Sequence, residues 1–340
     1  MKPHVFRIAV AAAIGLAAVA PVTAQKAPPP KEGALTSYIN LDATDAESKL
    51  EVIQHEVFAE QQQSVRLEFM LKHGATTNME FVQYPSGHEL VPGYVFTPVG
   101  MPETERRPAV ILVHGGFHER FNVEWFPLIV NLVKRGYVVV FPEYHGSRGY
   151  GANLYRNDYG VSDTADVLAA ADYIARKPFV DPNRLGIVGE SRGGMVTLLA
   201  IEQQPTRFKA AVDVVGLTDF VAYMAYKPDY RRKEVAKESS SFGGKLPNEN
   251  LAAYMAVSPI NAVDKIQSPL LVMASTGDEI APISLHTGRL LDALKARGKL
   301  FDAKIYDNAP GGHIFMHGDQ PERDDAYARI YAWLDKYMRP

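Results

Sequence analysis

Residues 185–194 read Leu-Gly-Ile-Val-Gly-Glu-Ser-Arg-Gly-Gly. An apolar run enters and a helical pattern leaves, so Ser191 falls on a tight strand-to-helix turn. A serine hydroxyl is a weak nucleophile unless it protrudes toward a base, and such a turn makes it protrude. The turn forces strained backbone angles on Ser191. It also brings the residues two before and two after into contact, where Gly189 and Gly193 carry no side chain to collide. Gly-x-Ser-x-Gly alone is a common accident; its place between a buried strand and a helix gives it weight.

Attack on a carbonyl develops a negative oxygen, which preorganised backbone N–H groups stabilise by about 3–4 kcal/mol each. The amide of Arg192, just after the serine, is one expected donor. The other is expected from Gly115 or Gly116 in Val113-His114-Gly115-Gly116-Phe117, with Gly116 preferred. The remaining partners are expected in the order acid, then His. Asp278 stands just beyond the apolar run 270–274, and His313 lies in a Gly-Gly turn after the strand-like stretch 303–306. His313 would take the proton from Ser191, and Asp278 would hold the imidazole tautomer. Glu279, Asp219 and His317 are rivals by position. The Arg192 side chain is expected to pair with Glu190, with an acid of the later insertion, or with a substrate carboxylate.

A scaffold has to bring these residues together. Stretches 79–85 and 90–97 flank Ser86-Gly87-His88 as a hairpin. Runs 107–113, 137–141, 184–189 and 269–274 are short and apolar, as strands buried on both faces are. Helical patterns at 125–135, 163–177, 195–203, 283–297 and 325–338 alternate with them, Val167, Ala171 and Ile174 sharing one face. The alternation predicts a doubly wound, mostly parallel α/β sheet. Residues 216–267 interrupt it with a polar, Tyr-rich insertion, read as a lid or substrate wall over the strand ends. There Tyr223, Tyr226, Tyr230 and Tyr254 suit a pocket lining and a core equally. Ahead of the sheet, 45–72 reads as an amphipathic helix with Leu50, Ile53, Val57, Val65 and Phe69 in its stripe, placed to pack on the main domain or to contact another protein.

At the amino end, Lys2 and Arg7 precede the apolar run Ile8 to Ala20, followed by small residues at Val22 and Ala24. This is the pattern of a secretory signal cut after about Ala24, and the run is short for a membrane span. The expected organisation is a signal at 1–24, a leader and helical extension at 25–78, and a catalytic domain at 79–340 with the insertion at 216–267. The expected location is secreted or periplasmic, with no membrane span in the mature protein.

Composition narrows the chemistry. With 46% hydrophobic and 22% charged residues among 340, the chain is of globular type. The absence of Cys excludes a disulfide scaffold, a thiolate zinc site, an iron–sulfur cluster and a cysteine nucleophile. A net charge of −3, from 36 basic and 39 acidic side chains, leaves no footprint for nucleic acid. His73, His88, His118, His145 and His286 share no metal-ligand spacing, and no H-E-x-x-H, P-loop or dinucleotide-binding pattern occurs. No metal or cofactor is expected; the expected partner is a small peptide or ester substrate.

Several segments together resemble the α/β-hydrolase superfamily and, within it, the catalytic domain of the prolyl oligopeptidase family. Glu143-Tyr144-His145-Gly146-Ser147-Arg148-Gly149-Tyr150-Gly151 is similar to that family's Tyr-Arg-Gly-Ser-x-Gly-Tyr-Gly segment. Asp181-Pro182-Asn183-Arg184-Leu185-Gly186 resembles its run into the elbow. Ser258-Pro259-Ile260-Asn261 and the stretch through Ser268-Pro269-Leu270-Leu271 resemble its passage to the acid, and Asp278 to Pro282 matches its Asp-x-x-Val-Pro with Ala281 for Val. The resemblance covers roughly Glu80 to Met338. It departs at Ala274-Ser275, where the family usually has His-Gly, and too few residues precede Glu80 for the gating β-propeller of larger members. It implies a serine hydrolase using Ser191, Asp278 and His313, with peptidase activity of the prolyl oligopeptidase type. Glu190 beside Ser191 and the upstream His-Gly-Gly also resemble carboxylesterases, which makes esters of small or carbohydrate-linked groups the alternative.

Overall fold

The computed structural model describes residues 46–102 and 104–339. The signal and leader expected before residue 46 lie outside them. Helix α1 (Ala46–His73) is followed by the hairpin β1 (Thr77–Ser86) and β2 (Glu89–Pro98), then by β3 (Arg107–Val113), α2 (Phe126–Lys134), β4 (Val138–Pro142) and the short α3 (Ala152–Tyr155). Next come α4 (Ser162–Ala175), β5 (Val180–Glu190), α5 (Arg192–Gln203) and β6 (Ala210–Val214). The insertion supplies α6 (Phe220–Ala225), α7 (Asp229–Glu238) and α8 (Leu251–Ala256). The chain closes with β7 (Leu270–Ser275), α9 (Thr287–Ala296), β8 (Phe301–Tyr306) and α10 (Pro321–Met338).

The eight strands form one sheet in the order β1-β2-β4-β3-β5-β6-β7-β8. The hairpin and its junction with β4 are antiparallel; every pairing from β4 to β8 is parallel. Parallel strands are covered on both faces, which explains why these runs are apolar throughout rather than alternating. Val110, Leu112, Val188, Val212 and Leu271 pack with α2 and α10 on one face. Ala109, Ile111, Ile187, Ala211 and Val272 pack with α4, α5 and α9 on the other, where Val167, Ala171 and Ile174 meet the sheet. The doubly wound, mostly parallel α/β sheet expected from the alternation is the observed one, as is the α/β-hydrolase fold that the resemblance implies.

Two details differ from the expectation. Helix α1 docks through His55, Phe58, Gln62, Val65 and Phe69, of which His55, Gln62 and Phe69 are buried and His55 and Phe58 meet Tyr155, whereas Leu50 is 65% and Ile53 56% exposed. At about 3.6 residues per turn, Leu50, Ile53 and Val57 fall on a different side of the helix from Val65 and Phe69, so the expected stripe is not one face. The insertion has its own apolar cluster, in which Phe220, Phe242 and Tyr254 pack with Tyr159 and Met195. Tyr254 is thus core, Tyr230 is exposed, and Tyr223 is buried at the edge of the cleft described next.

Candidate active site

Strand β5 ends at Glu190 and α5 begins at Arg192, so the turn consists of Ser191 alone. Ser191 has φ 58° and ψ −119°, a region costly for a residue with a Cβ. Neighbouring bonds over-determine it: its N–H donates to Val214 O at 2.8 Å and its carbonyl accepts from Met195 N at 3.1 Å. A Cβ on Gly189 would run into the Gly193 carbonyl, and one on Gly193 into the Val113 and His114 carbonyls. The glycines are there because three backbone segments meet.

Residues from three strand ends converge on this turn. His313, in the loop after β8, has Nε2 2.7 Å from Ser191 Oγ, and its Nδ1 is 2.7 Å from Asp278 Oδ2. Asp278 lies in the loop after β7, where its Oδ1 accepts the N–H groups of Ile280 and Ala281, both at 2.8 Å. Asp278 and His313 are both buried. Ser275, which stands where the resemblance leads one to expect Gly, joins these loops: its Oγ accepts Ala309 N–H at 3.1 Å and Gly277 N–H at 3.3 Å. Thr276 Oγ1 adds a second link by accepting Asn308 N–H at 2.7 Å.

Of the rivals, Glu279 is exposed and the other two are occupied elsewhere. Asp219 caps α6 by accepting Ala222 N–H at 2.9 Å and pairs with Arg289. His317 Nε2 meets Glu190 Oε2 at 2.6 Å. Burial disfavours the His317 imidazolium, but the Glu190 carboxylate outweighs it and raises the pKa. The Arg192 side chain pairs with neither Glu190 nor an insertion acid. It is fully buried and bonded to Asp163, at the start of α4, with Nη2–Oδ2 2.8 Å. Helix α4 packs beside α5 and puts that carboxylate within reach, which spacing along the chain does not reveal.

The Gly115–Phe117 loop follows β3 and lies against the turn. A Cβ on Gly115 would stand 3.1 Å from Ser191 Cβ and 3.0 Å from the Glu190 carbonyl, while Gly116 takes the positive φ of 72° that favours glycine. His114 faces inward, not into the cleft. Tyr144 OH donates to its carbonyl at 2.6 Å, and Ser147 Oγ lies 3.1 Å from its Nε2. Burial lowers its pKa to about 3, so the ring is neutral. The Tyr144–Ser147 segment therefore buttresses this loop from below. Glu143, fully buried beneath it, accepts Phe121 N–H at 2.8 Å, and burial raises its pKa to about 8. Neither Asp163 nor Glu143 stands out in the sequence, since each acts through segments remote along the chain.

Ser191 and His313 open onto a cleft of about 450 Å³, with Phe117, Tyr223 and Ile280 among its apolar lining and Glu190, Lys227 and His317 among its charged lining. Among the described residues no group of three or more His, Asp or Glu is arranged to hold a metal ion. None of the described helices is long and apolar enough to cross a membrane.

The site can be set beside known proteins. A family model described as the prolyl oligopeptidase family matches residues 124–340. An uncharacterized peptidase of Bacillus subtilis (strain 168) is 28% identical over 275 residues, covering 79% of this chain and 40% of that protein. Acylamino-acid-releasing enzyme 1 of Oryza sativa subsp. japonica is 27% identical over 258 residues, covering 71% and 31%. Among solved structures, a puromycin-hydrolyzing peptidase of Mycobacterium tuberculosis superposes with a TM-score of 0.66 at 27% identity, over 77% of this chain and 39% of that one. An acylaminoacyl peptidase bound to Z-Gly-Gly-Phe-chloromethyl ketone shares the fold, with a TM-score of 0.69 at 24% identity over 78% and 42%. The chain spans less than half the length of each of these relatives. With the model covering most of its length and the elbow set in an eight-stranded, mostly parallel sheet, the chain belongs to the prolyl oligopeptidase family.

Proposed function

We propose that the protein is a serine-type peptidase working through a covalent acyl-enzyme. The observation that carries this is the unbroken hydrogen-bond chain Ser191 Oγ–His313 Nε2 and His313 Nδ1–Asp278 Oδ2, 2.7 Å at each link, opening onto a cleft. Ser191 Oγ attacks the carbonyl carbon while Nε2 takes its proton. Asp278 keeps the other ring proton on Nδ1 and stabilises the imidazolium. The Arg192 and Gly116 amides hold the developing oxyanion; the Arg192 N–H heads α5, where no intrahelical acceptor exists for it. Collapse expels the amine with the proton from Nε2, and water then releases the acyl group by the same steps in reverse roles. Every proton in this cycle moves between groups of this chain, the substrate and water.

Phe117, Tyr223 and Ile280 suit an apolar group next to the scissile bond. That relatives are named as peptidases supports the amide reading. Glu190 beside Ser191 and the upstream His-Gly-Gly favour the second reading, a carboxylesterase. Export, with cleavage after about Ala24, is part of the proposal and rests on residues 1–24 alone. The test is a fluorophosphonate probe followed by parallel assays on p-nitrophenyl esters and on Pro- or Ala-p-nitroanilide peptides. Labelling that vanishes in Ser191→Ala, with anilide turnover, is the expected result. Equal labelling of both proteins overturns the hydrolase reading, and ester turnover without anilide turnover replaces the peptidase by the esterase.

A further inference from the structure

The Arg192 guanidinium meets four separate segments of chain. Nε and Nη2 donate to Asp163 Oδ2 at 3.1 and 2.8 Å, and Nη2 also donates to the His145 carbonyl at 3.1 Å. Nη1 donates to Asn157 Oδ1 at 2.6 Å and to the Phe117 carbonyl at 2.9 Å. The Tyr144 and Tyr159 rings lie 5.1 and 4.7 Å from the guanidinium carbon. Gly146 leaves the room: a Cβ there would sit 2.6 Å from Nη1. A buried arginine loses its hydration, which its hydrogen bonds must replace, and here partners from the loops after β3 and β4, from residue 157 and from α4 satisfy its donors.

The contact with Phe117 matters most. Phe117 follows Gly116 directly, and Gly116 has a positive φ with no side chain to fix it. Left to itself such a loop is free to swing, and an oxyanion donor displaced by an ångström loses much of its effect. We propose that the Arg192 side chain is a positioning residue for acyl transfer, holding the Gly115–Phe117 loop at its working distance from Ser191 through the Phe117 carbonyl. One residue then serves both donors: its own amide is the first, and its guanidinium places the second. This rests on the reading of Ser191 as the nucleophile.

The test is Arg192→Lys in the full chain, with kcat expressed per fluorophosphonate-titrated site. Lysine keeps a cation for Asp163 but lacks the planar fork that also reaches Phe117 and His145. We expect kcat per site to fall about 10- to 100-fold with KM within about threefold, and the affinity of an alkyl boronic acid, which mimics the tetrahedral adduct, to fall by the same factor as kcat. A merely structural role would lower the number of titratable sites and leave kcat per site unchanged. Should the lysine variant not fold, the double variant Arg192→Met with Asp163→Leu replaces the buried pair with apolar groups of similar volume, a change that such sites often tolerate; the same losses are expected. Per-site kcat within threefold of wild type in either folded variant overturns the proposal. Failure of the wild type to label would instead overturn the nucleophile assignment.

Discussion

Replacing Asp278 by Asn tests its proposed role as orienting acid with almost no change in shape. Two backbone N–H groups, of Ile280 and Ala281, point at Oδ1 from 2.8 Å. An asparagine must therefore put its carbonyl there and its NH2 where Oδ2 now faces His313 Nδ1 at 2.7 Å. An NH2 group can only donate, so Nδ1 becomes an acceptor and the ring proton moves to Nε2. That nitrogen then presents N–H to Ser191 Oγ and cannot take its proton. The expected loss is about 10⁴ in kcat, or about 5 kcal/mol of transition-state stabilisation, with KM within a few-fold. The measurement is p-nitrophenyl ester turnover on titrated enzyme, with Asp219→Asn as the companion. Asp219 caps α6 and pairs with Arg289; Asn keeps the cap and loses only the ion pair, so the substitution should cost at most about 1 kcal/mol of stability and leave kcat near wild type. Turnover of Asp278→Asn within tenfold of wild type, or a severe kcat loss in Asp219→Asn alone, would refute the reasoning.

Ser191→Gly should abolish turnover yet raise stability by about 1 kcal/mol, because glycine adopts φ 58° freely; a lower thermal midpoint than wild type counts against stored strain at the turn. Gly193→Ala should be severely destabilising, by about 3 kcal/mol or more, since its Cβ would meet the Val113 and His114 carbonyls; a soluble, active variant with a wild-type midpoint would mean that the three segments are not in contact. Burial opposes the His145 imidazolium, but Asp166 at 2.6 Å and Glu89 at 2.8 Å outweigh it and raise the pKa to about 9. That raised value makes its contribution full below about pH 6.5 and lost as pH rises through about 9. His145→Gln should then cost about 3 kcal/mol more in urea unfolding at pH 6 than at pH 10, and a difference independent of pH would contradict the ion-pair assignment.

How much of this was legible beforehand follows from the range of the forces involved. The parallel strands and the helices between them could be read because burial on both faces leaves uniform apolar runs, as in Val110-Ile111-Leu112-Val113, and burial on one face leaves a helical stripe, as in Val167, Ala171 and Ile174. The elbow could be read because its constraint is steric and local: three backbone segments meeting at Ser191 admit only glycine at 189 and 193. Chain order alone could suggest Asp278 and His313, but only folding brings them within hydrogen-bond distance of each other and of Ser191. Tertiary structure alone decided the rest. Arg192 found Asp163 because α4 and α5 pack side by side, although Glu190 is far nearer along the chain and turned instead to His317. In α1 the apolar Leu50, Ile53 and Val57 stay exposed, while the polar His55 and Gln62 are buried on the side that carries Phe69. Local sterics and hydrophobic periodicity are properties of a few consecutive residues and are written in their order. The partner of a buried charge depends on which remote surfaces the packed core brings together.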